Sequence, residues 1–133
     1  MAPRPAELDR IDDVAAGHPA LGLLLLLGSR ATGTAHERSD WDFGVLPGPG
    51  GDVDLPRLAA DLMTLVGSDD VDVVDLTRAS AVLRRDAASV GVVLVERKPD
   101  AFLEFALQAL TFWCDVEPVV RRAHAEILRS VTA

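Results

Sequence analysis

The sequence predicts an α/β (α+β) fold, a small mixed sheet flanked by helices, and three observations carry that expectation. Segments patterned for helix and for strand alternate along nearly the whole chain. The strand-like segments are short leucine or valine runs bounded by glycine, proline and aspartate. The 133 residues suffice for one self-supporting core, and no linker, repeat or low-complexity tail divides them, so residues 1–133 are expected to form a single domain.

Each element has its own local reason. Residues 5–16, PAELDRIDDVAA, open with proline and acidic side chains suited to a first helical turn, and Gly17-His18-Pro19 closes the segment. Residues 21–27, LGLLLLL, are too few to span a bilayer, which takes about 20 apolar residues. Leucine leaves a buried helix open on composition, and Gly22 and Gly28 favour a buried strand. A glycine-containing turn follows, then residues 40–46, DWDFGVL, which alternate as a strand and end at the PGPGG loop of 47–51. Leu55, Leu58, Leu62 and Leu65 recur at helical spacing across 54–66, and the valines of 71–76, VDVVDL, form a third strand. A short helix over 78–89 leads to a fourth strand, GVVLVER, at 91–97. From about 100 to 130 the chain is helical, with Phe102, Phe105, Ala106, Ala109, Phe112 and Trp113 on one side, and Pro118 kinks it or splits it in two.

Bulk properties exclude several classes of function. A composition 49% hydrophobic and 26% charged is that of a globular chain. The formal net charge of −8 argues against a broad grip on nucleic-acid phosphates. Cys114 is the single cysteine, so there is no internal disulfide and no multi-cysteine metal site, which fits the cytoplasm. Glu7, Asp9, Asp12 and Asp13, rather than a basic region, precede the leucine run, so it does not read as a signal peptide, and no membrane association is expected. Cys114 and the aromatic residues around it read as core.

The stretch GSRATGTAHERSDWD, residues 28–42, carries the chemistry. Gly28 and Gly33 permit conformations and close approaches that a Cβ would block, as a phosphate-holding turn requires. Their spacing matches a P-loop, but Thr34 stands where its lysine must be, which rejects that motif. On a strand Asp40 and Asp42 would share a face with Cα atoms about 6.5 Å apart. Two such carboxylates suit magnesium, a hard cation that shares its shell with substrate phosphates. A bare DxD is more often a solvated strand; the acidic strand at 71–76 shifts the balance. Asp72 lies among valines, where a carboxylate is costly unless paired or metal-bound, and Asp75 has the opposite parity. If the two strands are neighbours, three carboxylates can surround two magnesium ions, the arrangement for in-line nucleotidyl transfer. His36, His18, His124, Arg38 and Ser39 carry weaker claims.

With the spacing G-S-x10-D-x-D filled by Gly28-Ser29 and Asp40-x-Asp42, the chain resembles the polymerase-beta-type nucleotidyltransferase superfamily. GSRATGTAHERSDWDFGV, then VDVVDL, then an apolar strand ending in ER is similar to its minimal nucleotidyltransferases, the MNT or MntA-type antitoxins. That resemblance covers residues 20 to about 120. It implies that Gly28, Ser29 and Arg30 hold the triphosphate of ATP, that Asp40 and Asp42 bind both Mg2+ ions, and that Asp72, rather than Asp75, completes the site. It further implies a HEPN-domain ribonuclease toxin as partner and transfer of AMP onto a toxin tyrosine. An antitoxin acting by binding alone, and an aminoglycoside-type small-molecule nucleotidyltransferase, are the alternatives. Trp41, inside the DxD where the family usually has a smaller aliphatic residue, and the PGPGG loop depart from the pattern.

Overall fold

The computed structural model describes residues 4–132; residues 1–3 and 133, the ends of the expected domain, lie outside the described residues. The first expected helix is divided into a 3-10 turn at Ala6–Leu8 and α1 at Ile11–Ala16. There follow β1 (Leu21–Leu27), α2 (Gly28–Thr32), β2 (Trp41–Pro47), α3 (Leu55–Val66), β3 (Val71–Asp75), α4 (Ala81–Val90), β4 (Val92–Glu96) and α5 (Ala101–Thr132). Asp54 caps α3 by accepting from the Arg57 N–H at 3.1 Å, and the Ser80 hydroxyl caps α4 by accepting from the Leu83 N–H at 3.2 Å.

The sheet is mixed, in the order β3-β2-β1-β4. β1 is antiparallel to both β2 and β4, while β2 and β3 run parallel, joined by the crossover through α3. All seven residues of β1 are buried, as a central strand covered on both faces demands. One face packs Leu24, Leu26, Trp41, Phe43 and Val45 against α1 and α3. The other packs Leu23, Leu25, Leu27 and Leu76 against Ala87 of α4 and Phe105 and Ala109 of α5. At Gly22 a Cβ would lie 2.9 Å from the Gly48 backbone, so the PGPGG loop closes directly over β1.

Two histidine and cysteine placements differ from expectation. His18, expected in an inert loop, is buried and its Nε2 lies 2.6 Å from Asp61 Oδ2, which ties the end of α1 to α3. Cys114, expected in the core, is exposed, because α5 outruns the sheet and only its first turns have a surface to pack against. Phe112, 49% exposed, lies on the outer side for the same reason. Pro118 does not divide the helix: α5 is continuous through it. The proline sits on the exposed part of α5, where water can take over the backbone group that loses its partner.

Arg97 fastens the chain's first segment to the sheet. Its guanidinium donates to the carbonyls of His18 (2.7 Å), Leu21 (3.0 Å) and Ala15. Hydrogen bonds from a charged donor contribute about 1.5–3 kcal/mol each, and the three share one side chain. Arg97→Met is therefore expected to lower unfolding free energy by about 2 kcal/mol or more, seen as an earlier urea midpoint with an unchanged slope.

Candidate active site

Three neighbouring strand ends meet at one edge of the sheet. The antiparallel register sets Leu27 beside Asp42, and the parallel register sets Asp42 beside Asp72. β1 thus delivers Gly28 to the two carboxylates as it ends, and β2 and β3 deliver the carboxylates as they begin. Asp42 and Asp72 line a cavity of about 370 Å3 together with Gly28, Thr32 and, from α4, Leu83 and Asp86. A larger cleft of about 1040 Å3 opens at the other end of the sheet around Leu46, Pro47, Arg84 and Phe105, and none of the predicted site residues lines it.

Gly28 is required by both its conformation and its surroundings. Its φ is +68°, and a Cβ there would lie 2.6 Å from Asp42 Oδ2. The expected turn is the short helix α2, ended by Gly33 at φ +80°. Ser29 belongs to α2, and its carbonyl accepts from the Thr34 N–H at 3.0 Å.

Asp40 lies just ahead of β2, exposed, rather than on the strand itself. Its charge nonetheless reaches Asp42. Burial first, then the charges of Asp40 and Asp72, push the Asp42 carboxyl above its ordinary value. Asp75 is excluded from this group by parity and by occupation: its Oδ1 accepts from the Thr77 N–H (2.9 Å) and the Thr77 hydroxyl (2.6 Å), forming a turn at the far end of β3. Of the sequence-predicted phosphate ligands, Arg30 is turned away. Its guanidinium donates to the carbonyls of Ser39 and His36 and covers the Trp41 ring. His36 Nδ1 accepts from the Arg38 N–H at 3.2 Å, so this ring also serves the loop.

Asp86 was not singled out from the sequence. It interrupts the apolar stripe Leu83, Ala87, Val90 of α4, which is the signal that could have found it. Arg85 holds its Oδ1 at 2.7 Å and itself lies over the Trp113 ring, 4.4 Å from the centroid.

The donor set fits a hard divalent cation: carboxylate oxygens that repel one another, beside a glycine whose missing Cβ leaves space at Asp42 Oδ2. Among the described residues no three His, Cys, Asp or Glu side chains are drawn into a closed metal cage.

Comparison with known proteins identifies the relatives of this arrangement. The family model described as polymerase beta, nucleotidyltransferase, matches residues 9–100. The protein adenylyltransferase MntA of Aphanizomenon flos-aquae is 33% identical over 103 residues, covering 69% of this chain and 68% of the relative. Its counterpart in Shewanella oneidensis is 36% identical over 96 residues, covering 71% and 68%. Among solved structures, a toxin–antitoxin crystal structure with AMP-PNP aligns with TM-score 0.71 and 29% identity over 95% of this chain and 98% of that one. The MNT antitoxin in complex with tri-AMPylated HEPN toxin from Shewanella oneidensis aligns with TM-score 0.64 and 27% identity, over 96% and 97%.

The raised Asp42 pKa has a stability consequence. A carboxyl that holds its proton more tightly when folded loses stability for the fold as pH rises from the ordinary aspartate value through the raised one. Above that window its ionised form opposes folding. Asp42→Asn is expected to melt at a higher temperature than the parent at pH 7 in EDTA, and the difference should close as pH falls below the carboxylate range. Adding Mg2+ should raise the melting temperature of the parent more than that of the variant.

Proposed function

The chain belongs to the polymerase beta nucleotidyltransferase family, and on that premise we propose that it is a Mg2+-dependent protein adenylyltransferase serving as the antitoxin of a HEPN-domain toxin. The single observation that carries this reading is the convergence of Asp42 and Asp72 on Gly28 at one end of the sheet. The protein adenylyltransferase activity for which the MntA relatives are named and the toxin complexes of the structural neighbours support the choice of AMP and of a toxin acceptor.

In this reading Asp40, Asp42 and Asp72 would hold two Mg2+ ions, and Gly28 and Ser29 would receive the triphosphate of ATP. When bound, Mg2+ would neutralise phosphate charge and make the acceptor hydroxyl easier to deprotonate. The toxin's tyrosine oxygen forms a bond to the α-phosphorus as the bond from that phosphorus to the pyrophosphate oxygen breaks. Asp72, exposed at the start of β3, takes the hydroxyl proton, and pyrophosphate leaves. Gly28 has no side chain to bar close approach of phosphate to Asp42. The acidic cavity binds substrate only with its cations, since the chain's net charge of −8 repels a bare triphosphate. The cytoplasm, where toxin and ATP meet, is the corresponding compartment.

The test is mass spectrometry of the cognate toxin after incubation with this protein, ATP and Mg2+. A gain of one or more AMP units on tyrosine is expected, and Asp42→Asn, with its fold verified, should abolish it. Labelling by the variant at the parent's rate would defeat the reading; protection of cells by the variant without labelling would show that binding alone suffices.

A further inference from the structure

Asp40 is the one carboxylate of the three that no strand register holds. β2 begins at Trp41, the pairing with β1 begins at Asp42, and Asp40 is exposed on the connecting loop. Its position relative to Asp42 depends on the backbone on either side of it, at Ser39 and Trp41. The Trp41 backbone is held by β3, its N–H donating to the Asp70 carbonyl at 2.8 Å, and the Ser39 side is held by Arg30. From α2, two residues beyond Gly28, the Arg30 Nε and Nη2 donate to the Ser39 carbonyl at 3.1 and 2.8 Å, and Nη2 donates to the His36 carbonyl at 3.4 Å. The guanidinium carbon lies 3.9 Å from the centroid of the Trp41 ring. Trp41 is 2% exposed and stacks on Phe43, with centroids 6.3 Å apart and planes 7° from parallel, so the platform is part of the core.

The turn itself is short and partly self-closed. The Ser39 N–H donates to the His36 carbonyl at 3.0 Å, and the His36 N–H donates to Ser39 Oγ at 2.9 Å. Among the described residues, Arg30 is the side chain from outside the turn that hydrogen-bonds to it. A planar guanidinium can bond a carbonyl along its edge while stacking by its face, which an ammonium cannot do.

We propose that Arg30 is a positioning residue: clamped between the Ser39 carbonyl and the Trp41 ring, it ties the loop carrying Asp40 to the helix that starts at Gly28, and so restrains Asp40 relative to Asp42, where the two would act together as cation ligands. The proposal rests on the reading of the aspartates as cation ligands but not on the identity of the acceptor. Trp41 gains a role through it. An aromatic residue between the two carboxylates is the surface against which the arginine is pressed.

Arg30→Met, Arg30→Lys and Trp41→Phe test this with Mn2+ alone as the probe. In the absence of any cation, the heteronuclear 15N NOE of residues 36–40 should fall in Arg30→Met while that of β1 and β2 is unchanged. Mn2+ affinity, read from free-ion EPR, should weaken by about 10–100-fold, the usual cost of losing support behind a metal ligand. Arg30→Lys should recover only part of both losses, and in AMP transfer kcat should drop with the KM for ATP held. Parent-like loop dynamics or parent-like Mn2+ affinity in Arg30→Met would overturn the proposal, as would full rescue by lysine. If Arg30→Met does not fold, Arg30→Lys and Trp41→Phe decide it: a parent-like Mn2+ affinity in both is again fatal. A parent that binds Mn2+ but transfers no AMP removes the proposed activity and leaves the clamp standing; a parent that binds no Mn2+ removes the clamp's purpose and overturns it.

Discussion

Burial of β1 on both faces is the constraint from which the rest of the molecule follows. Seven consecutive residues are closed off from solvent, with α1 and α3 on one side and α4 and α5 on the other. A strand held this way has little freedom to slide or tilt, because any slip of one residue would exchange the sides on which its leucines pack. The candidate site is built where this strand ends. Gly28 follows Leu27 directly, and Leu27 is the register partner of Asp42. Placement of the Gly28 backbone against a carboxylate is thereby inherited from the strand buried on both faces.

Much of this was legible in the sequence, for reasons that can be named. β1 spans the residues its leucines and flanking glycines indicate, and α3 follows its leucine period to within a residue. The partnership of Asp42 with Asp72 depends on long-range register, which local pattern cannot supply; parity already set Asp75 apart, and its turn with Thr77 agrees. Arg30 misleads in the same way. Next to a motif serine it suggests phosphate, but its reach is decided by a ring and two carbonyls that the chain brings back nine and more residues later. Asp86 was hidden because a carboxylate on a helix reads as solvated until the helix is known to roof a cavity. Cys114 was misplaced because composition says nothing about where a helix outruns the sheet beneath it.

The site is assembled against its own electrostatics. Three carboxylates are gathered on a chain already rich in negative charge, and burial, then the charges of Asp40 and Asp72, push the Asp42 carboxyl above its ordinary value. Such an arrangement is costly for the folded state, and in the proposed reading cation binding is what it serves, a common relation between stability and activity. The remainder of the molecule compensates with ordinary means: two apolar layers, capped helices, and Arg97 bonded to three carbonyls.

The stretch between Ser29 and Asp40 has so far been described by what it holds. It is also a measured length. In that interval the chain must complete α2, leave it through the left-handed Gly33, fold the turn at 36–39 beneath Arg30, and re-enter the sheet with Asp42 opposite Leu27. A strand that entered one residue out of phase would have its alternation inverted, turning carboxylates toward the core and Trp41 toward the cavity. The interval therefore works as a ruler whose unit is the strand's two-residue repeat. What makes the motif recognisable is less the chemistry of its intervening residues than the arithmetic of bringing a chain home in phase.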